Sequence, residues 1–181
     1  MRKVNLFSFF SLAAIVLLAA LFPACTPRDK QVVILFTNDT HSQIDPLDNN
    51  HKDYPGMGGV ERRKVLIDSL RNEYPNLLLV DAGDAVQGTP YFTIFGGEIE
   101  TMAMNTMGYN VRTLGNHEFD NGMEALAAML KASNATTVST NYNLDSTTVR
   151  DIVKSSTICN AGGVKVGFIG LDVQPAGLID S

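Results

Sequence analysis

Val32-Val33-Ile34-Leu35-Phe36-Thr37 runs without a break into Asn38-Asp39-Thr40-His41. The first six residues are apolar and largely β-branched or aromatic. They predict a strand buried on both faces, as in the interior of a parallel sheet. The polar residues begin where that strand ends. The same two-part pattern occurs twice more. Leu77–Val80 (LLLV) leads into Asp81-Ala82-Gly83-Asp84, and Val111–Leu114 leads into Gly115-Asn116-His117-Glu118-Phe119-Asp120. Helical periodicity fills the gaps. Gly58-Gly59 opens a helix whose apolar positions are Val60, Leu66, Ile67, Leu70 and Tyr74, and Pro75 ends it. Ile99, Met102, Ala103 and Met107 give a second helix its inner face, with Gly108 placed as its C-cap. Leu126, Ala127 and Leu130 mark a third helix ending near Asn134. Residues 136–144 suit a fourth strand, and Ile158 with Val164–Leu171 suits a hairpin around Ala161-Gly162-Gly163. Alternating strands and helices predict an α/β fold with a largely parallel sheet.

The chain has 181 residues, 45% hydrophobic and 18% charged, enough for one domain with its own core. A net charge of -5 gives no general attraction for a nucleic-acid polymer, so phosphate chemistry here would need local positive charge such as a metal cation. Residues 1–25 form a separate object. Arg2 and Lys3 precede an apolar stretch from Leu12 to Phe22, and then Pro23, Ala24 and Cys25 follow. This is an export signal, too short for a comfortable membrane span. A small residue before Cys25 is the pattern of a bacterial lipoprotein signal, with Cys25 carrying lipid. A cleaved signal with an incidental cysteine is the plainer alternative. Residues 26–31 read as a tether, and residues 32–181 as the folded domain. Cys159, the other cysteine, reads as a small apolar strand residue, with no disulfide framework.

In open α/β sheets, ligands bind beyond the carboxyl ends of the strands. Three parallel strands would bring Asp39, His41, Asp84, Asn116 and His117 to one edge. Carboxylate, imidazole and amide donors suit borderline divalent cations such as Zn, Mn or Fe. One Asp can bridge a metal pair about 3.5–4 Å apart, an arrangement that clamps a phosphate and offsets its charge. Each residue alone has a plainer reading. Asp39 and His41 could be a loop carboxylate and a hydrogen-bonded imidazole. Asp84 and Asn116 could stabilise turns, Asp81 suits a strand-end turn, and Asp120 suits a helix N-cap. Glu118 could be structural or could touch a neighbour of a ligand. His51 sits in a polar loop and reads as surface. The combination carries more weight: two of only three histidines fall in strand-end loops beside acidic or amide residues.

Thr37-Asn38-Asp39-Thr40-His41, Gly83-Asp84 and Gly115-Asn116-His117-Glu118-Phe119-Asp120 resemble the successive motifs of calcineurin-like metallophosphoesterases. Their Asn-Asp-x-His and Asn-His-Glu-Phe-Asp forms resemble the 5'-nucleotidase branch, as does Gly58-Gly59-Val60-Glu61-Arg62-Arg63. The resemblance covers about residues 32–175. It implies the N-terminal portion of a four-layer α/β/β/α sandwich and hydrolysis of phosphomonoesters, 5'-nucleotides above all. It implies two divalent ions drawn from Zn, Mn, Fe, Co and Mg. Asp39 and His41 would bind the first metal, Asp84 would bridge both, and Asn116 would bind the second and lie close to the phosphate. His117 would contact substrate and stabilise the transition state, with Asp120 orienting it. Asp120 tilts the reading toward monoesters, since cyclic-nucleotide phosphodiesterases of this kind often carry Asn there; a 2',3'-cyclic phosphodiesterase remains an alternative. The family's later histidines have no counterpart, because no histidine follows His117. Three explanations compete: a fragment of a larger enzyme, a split enzyme completed by a C-terminal nucleotidase domain or second polypeptide, and an inactive envelope lipoprotein. The chain also stops soon after its last strand, which predicts an uncovered sheet face or edge.

Overall fold

A computed structural model describes residues 29–174. The residues read as an export signal, Cys25 and the first half of the tether lie outside the described residues, as do positions 175–181. Four strands form one parallel sheet in the order β1-β2-β3-β4: β1 (Ile34–Thr37), β2 (Leu78–Asp81), β3 (Val111–Arg112) and β4 (Thr136–Thr137). Ile34 pairs with Leu78, Val80 with Val111, and Val111 with Thr136. The helices between them are α1 (Val60–Glu73), α2 (Pro90–Phe95), α3 (Glu98–Met107) and α4 (Gly122–Ala132). A separate antiparallel hairpin joins β5 (Ser156–Ala161) to β6 (Val164–Ile169) through Gly162-Gly163, as the sequence predicts. Among the described residues no helix is long and apolar enough to cross a membrane.

The sheet order never reverses. Right-handed crossovers therefore place the connecting helices on one face. The core forms there: Ile67 of α1, Leu79 of β2 and Met104 and Met107 of α3 are buried together, with Val33 and Leu35 packed against them. A second cluster joins Leu114, Phe119, Leu126, Leu130 and Val149 beneath α4. Burying each such side chain contributes about 1.5–3 kcal/mol.

This topology corrects the reading of β1 as a strand buried on both faces. β1 lies at the sheet edge, Ile34 is 44% exposed and Phe36 is 69% exposed. They alternate with Val33 and Leu35 and point away from the helices. Two helix faces also need correction. Leu66 is 58% exposed, because α1 turns Ile67 inward and Leu66, one residue away, lies about 100° round the helix from it. In α3 the inward residues are Glu100, Thr101, Met104 and Met107, while Met102 is 57% exposed. Gly108 does cap α3 in the left-handed conformation, with φ 72°. Helix α2 has no counterpart in the periodicity analysis. At six residues it is too short to show a repeat, though Pro90 at its start and Gly96 at its end were available as signals. The third and fourth strands are shorter than predicted. Pairing continues past them through single bonds, from Thr113 N–H to the Asp81 oxygen (3.0 Å) and from Val138 N–H to the Arg112 oxygen (2.9 Å).

Candidate metal centre

The loops after β1 and β2 are zipped together by backbone bonds. Asp39 N–H donates to the Gly83 oxygen (3.1 Å), His41 N–H to the Asp84 oxygen (3.0 Å) and Ser42 N–H to the Ala85 oxygen (3.0 Å). Asp39, His41 and Asp84 adopt positive φ values of 52°, 45° and 51°. Non-glycine residues rarely do so, at a cost of order 1–3 kcal/mol each. Such strain persists where surrounding bonds over-determine it. The result aims three side chains at one point. Ligand atoms of Asp39, His41 and Asp84 all lie within 4.8 Å of one another. His41 Nε2 stands 3.5 Å from Asp39 Oδ1. Two carboxylates and an imidazole at that spacing fit a divalent cation.

The third loop docks against Asp84. His117 N–H donates to Asp84 Oδ1 at 3.0 Å. Gly115 must be glycine, because a Cβ there would lie 2.1 Å from Asp84 Oδ1. Asn116 stands between Gly115 and His117 in the chain, and its backbone oxygen accepts from Phe119 N–H at 3.2 Å. The His117 ring meets the His41 ring edge to face, with centroids 5.3 Å apart. His117 Nδ1 is 2.8 Å from Asp120 Oδ2. Partial burial disfavours the imidazolium, but the Asp120 hydrogen bond and the charges of Asp120, Asp84 and Glu118 outweigh it and raise the His117 pKa. Asp120 is therefore not the helix N-cap that its position suggested. That place belongs to Asn121, and Asp120 ends a short 3-10 turn over His117–Phe119 with its carboxylate turned to His117.

Sequence reasoning left Glu118 open, and the structure gives it a definite place. Its carboxylate is wholly buried and accepts four bonds: from Asp84 N–H (3.1 Å), Ala85 N–H (3.0 Å), Gly115 N–H (2.6 Å) and Arg112 Nη2 (3.1 Å). One side chain thus joins the β2 loop to the β3 loop. Asp81 lies beside this pair. It holds the β2 turn through Gly83 N–H (3.1 Å) and accepts from Thr37 Oγ1 (2.6 Å). Burial raises the Asp81 pKa, only partly countered by Arg112, Thr37 and Gly83. Asp172, also missed, receives Thr113 Oγ1 (2.6 Å), Leu114 N–H (3.2 Å) and the Ser139 hydroxyl. Single charged letters in a sequence do not announce this role. The one available signal for Glu118 is its position between His117 and Phe119 in a polar loop that must fold back on itself.

Residues 32–176 match the family model for calcineurin-like phosphoesterases. The chain belongs to that family. Members of the calcineurin-like phosphoesterase family use divalent metals, in keeping with the donor group above. The chain is 37% identical over 147 residues to a snake venom 5'-nucleotidase of Gloydius brevicauda, covering 77% of this chain and 25% of that protein. It is 35% identical over 148 residues to an NAD 5'-nucleotidase of Haemophilus influenzae, covering 78% and 24% respectively. Among solved structures, a 5'-nucleotidase precursor from Thermus thermophilus superposes with a TM-score of 0.71 at 35% identity, over 77% of this chain and 28% of that one. This phosphoesterase chain therefore spans about a quarter of the length of these relatives and matches the N-terminal part of their metallophosphoesterase fold.

Proposed function

We propose that the chain carries the first half of a dinuclear centre that hydrolyses phosphomonoesters, 5'-nucleotides in particular. The observation that carries this reading is the convergence of Asp39, His41 and Asp84 within 4.8 Å, beside a hydrogen-bonded His117–Asp120 pair. Asp39, His41 and Asp84 would hold one ion, and Asp84 and Asn116 the other. Divalent ions held there would supply Lewis-acid charge to a phosphoryl oxygen and acidity to a water. The protein residues supply the rest. His117, its proton retained by Asp120, faces the phosphoryl group and stabilises the charge that develops on it. Glu118 fixes the two loops so that these groups stay aligned.

The exposed edge strand β1 supports the view that the site is completed by further polypeptide, a C-terminal nucleotidase domain or a second chain. Ile34 and Phe36 stand bare on it. Residues 1–25 would export the protein to the bacterial envelope and Cys25 would anchor it to a membrane through lipid, ahead of a tether over 26–31 and the phosphoesterase domain over 32–181.

The test is metal content and AMP hydrolysis of residues 26–181, alone and with a C-terminal 5'-nucleotidase polypeptide added. An incomplete ligand shell binds metal weakly, so about one ion or fewer is expected alone and about two with the added polypeptide. Hydrolysis should appear only in the second case. In the completed enzyme, His117→Asn should lower turnover about 100-fold or more with metal content unchanged. Brisk turnover by the isolated chain would overturn the shared-site reading, and parallel loss of metal in the His117 variant would make His117 a ligand.

A further inference from the structure

Behind the ligand loop lies a small cavity that the metal centre does not use. It is lined by Thr40, Ser42, Arg63, Glu100, Ala103 and Met104, among others, and the space open to a water centre is ≈ 10 Å³. Two of its polar side chains have no partner. Ser42 is 1% exposed and its Oγ makes no hydrogen bond; Glu100 is 3% exposed and neither carboxylate oxygen makes one. The rest of Ser42 is committed. Its N–H donates to the Ala85 oxygen, and its own oxygen accepts from Thr89 Oγ1 at 2.9 Å. Its φ of 52° is a conformation that a serine does not choose freely. Only the hydroxyl remains, one residue beyond His41.

A buried carboxylate with nothing to receive is costly, and a buried hydroxyl adds to the penalty. Glu100 lies in the first turn of α3, where the helix dipole favours a negative charge. Arg63 of α1 borders the same cavity. A space of this size holds one water, and a buried water needs two to four polar partners. We infer that a single buried water bridges Glu100 of α3 to the Ser42 hydroxyl and to Arg63 of α1, and that Glu100 is a positioning residue for the His41 loop. The water donates its hydrogens to the Glu100 carboxylate and accepts from Ser42 Oγ and the guanidinium. The cationic Arg63 makes a water the better occupant than a metal ion. The bridge ties both flanking helices to the strained segment that presents His41. Its effect on metal binding rests on the metal-centre reading above; its existence does not.

The first test is a crystal structure of the chain at a resolution that shows ordered water. Density for one water within about 3.2 Å of both Glu100 and Ser42 Oγ is expected. An empty cavity, a bound metal ion, or a direct Glu100–Arg63 ion pair would overturn the bridge. The second test is calorimetric titration with zinc alone, on the wild-type chain, Ser42→Ala and Glu100→Leu. Loss of such an outer support weakens metal affinity about 10–100-fold. That fall should occur in both variants while the thermal midpoint stays level or rises, since leucine suits the apolar surroundings of Ala103 and Met104. Unchanged zinc affinity in both variants would end the positioning role. If the wild-type chain takes up no zinc, the metal reading fails, and the crystallographic water still decides the bridge.

Discussion

The strand ends and the outer edge strand of the same sheet are built on opposite principles. At the strand ends three buried carboxylates are answered: Glu118 accepts four bonds, Asp172 accepts from Thr113, Leu114 and Ser139, and Asp81 closes its own turn. On the edge strand, Ile34 and Phe36 meet no covering layer among the described residues, whereas Leu78 and Val111 of the inner strands, on the same face, are buried. The exposed side of the hairpin is similar, with Ile158 and Ile169 out in solvent. The difference teaches that the precision of this site and the completion of its core are separate problems. Hydrogen bonds act at short range, so three loops from neighbouring parallel strands can align one another without outside help. Hydrophobic burial needs a second surface, and the exposed residues of β1 have none among the described residues.

That contrast can be broken by mutation, and the sharpest cut is Glu118→Ala. It leaves Arg112 buried without its partner and three backbone N–H groups unanswered, so unfolding free energy should fall by about 3–5 kcal/mol in urea denaturation. A loss below about 1 kcal/mol would mean that the loops are held by something other than Glu118. Leu79→Ala, in the covered core, should cost about 2–5 kcal/mol in the same assay. Phe36→Ser, on the exposed edge strand, should shift stability by no more than about 0.5 kcal/mol while lowering self-association measured by light scattering. A large loss from Phe36→Ser would show that this strand is covered after all.

The smallest effect concerns the His117–Asp120 pair. In metal-free protein, the His117 titration followed by NMR should have its midpoint above the ordinary imidazole value and drop toward it in Asp120→Asn. The sign for stability follows from a raised histidine pKa. The pair stabilises the fold below the unfolded-state pKa and loses that contribution as pH rises through the folded-state value. Both side chains are near one-third exposed, so the contribution is small. A midpoint unmoved by the Asp120 change would remove Asp120 from the pair.

The ligand loops were legible because their signal is local. A run of apolar residues and a cluster of oxygen and nitrogen donors lie within a few letters of each other three times over, twice with a glycine among them. The hairpin around Gly162-Gly163 and the cap at Gly108 were legible for the same reason: backbone dihedrals at a turn are decided by adjacent residues. Burial was less legible. Val32–Thr37 has the composition of an inner strand, yet its place at the edge depends on the order of strands, which no single segment encodes. Leu66 and Met102 have the right chemistry for a core and the wrong angle, since a helix's rotation is fixed by its partners. The sequence by itself determined the α/β alternation, the three polar loops and the donor types within them. Only the tertiary structure decided that Glu118 is the brace, that Asp120 faces His117 instead of capping α4, and that β1 lies exposed at the sheet edge. Those are contacts between segments far apart in the chain, and their geometry exists only once the strands have paired.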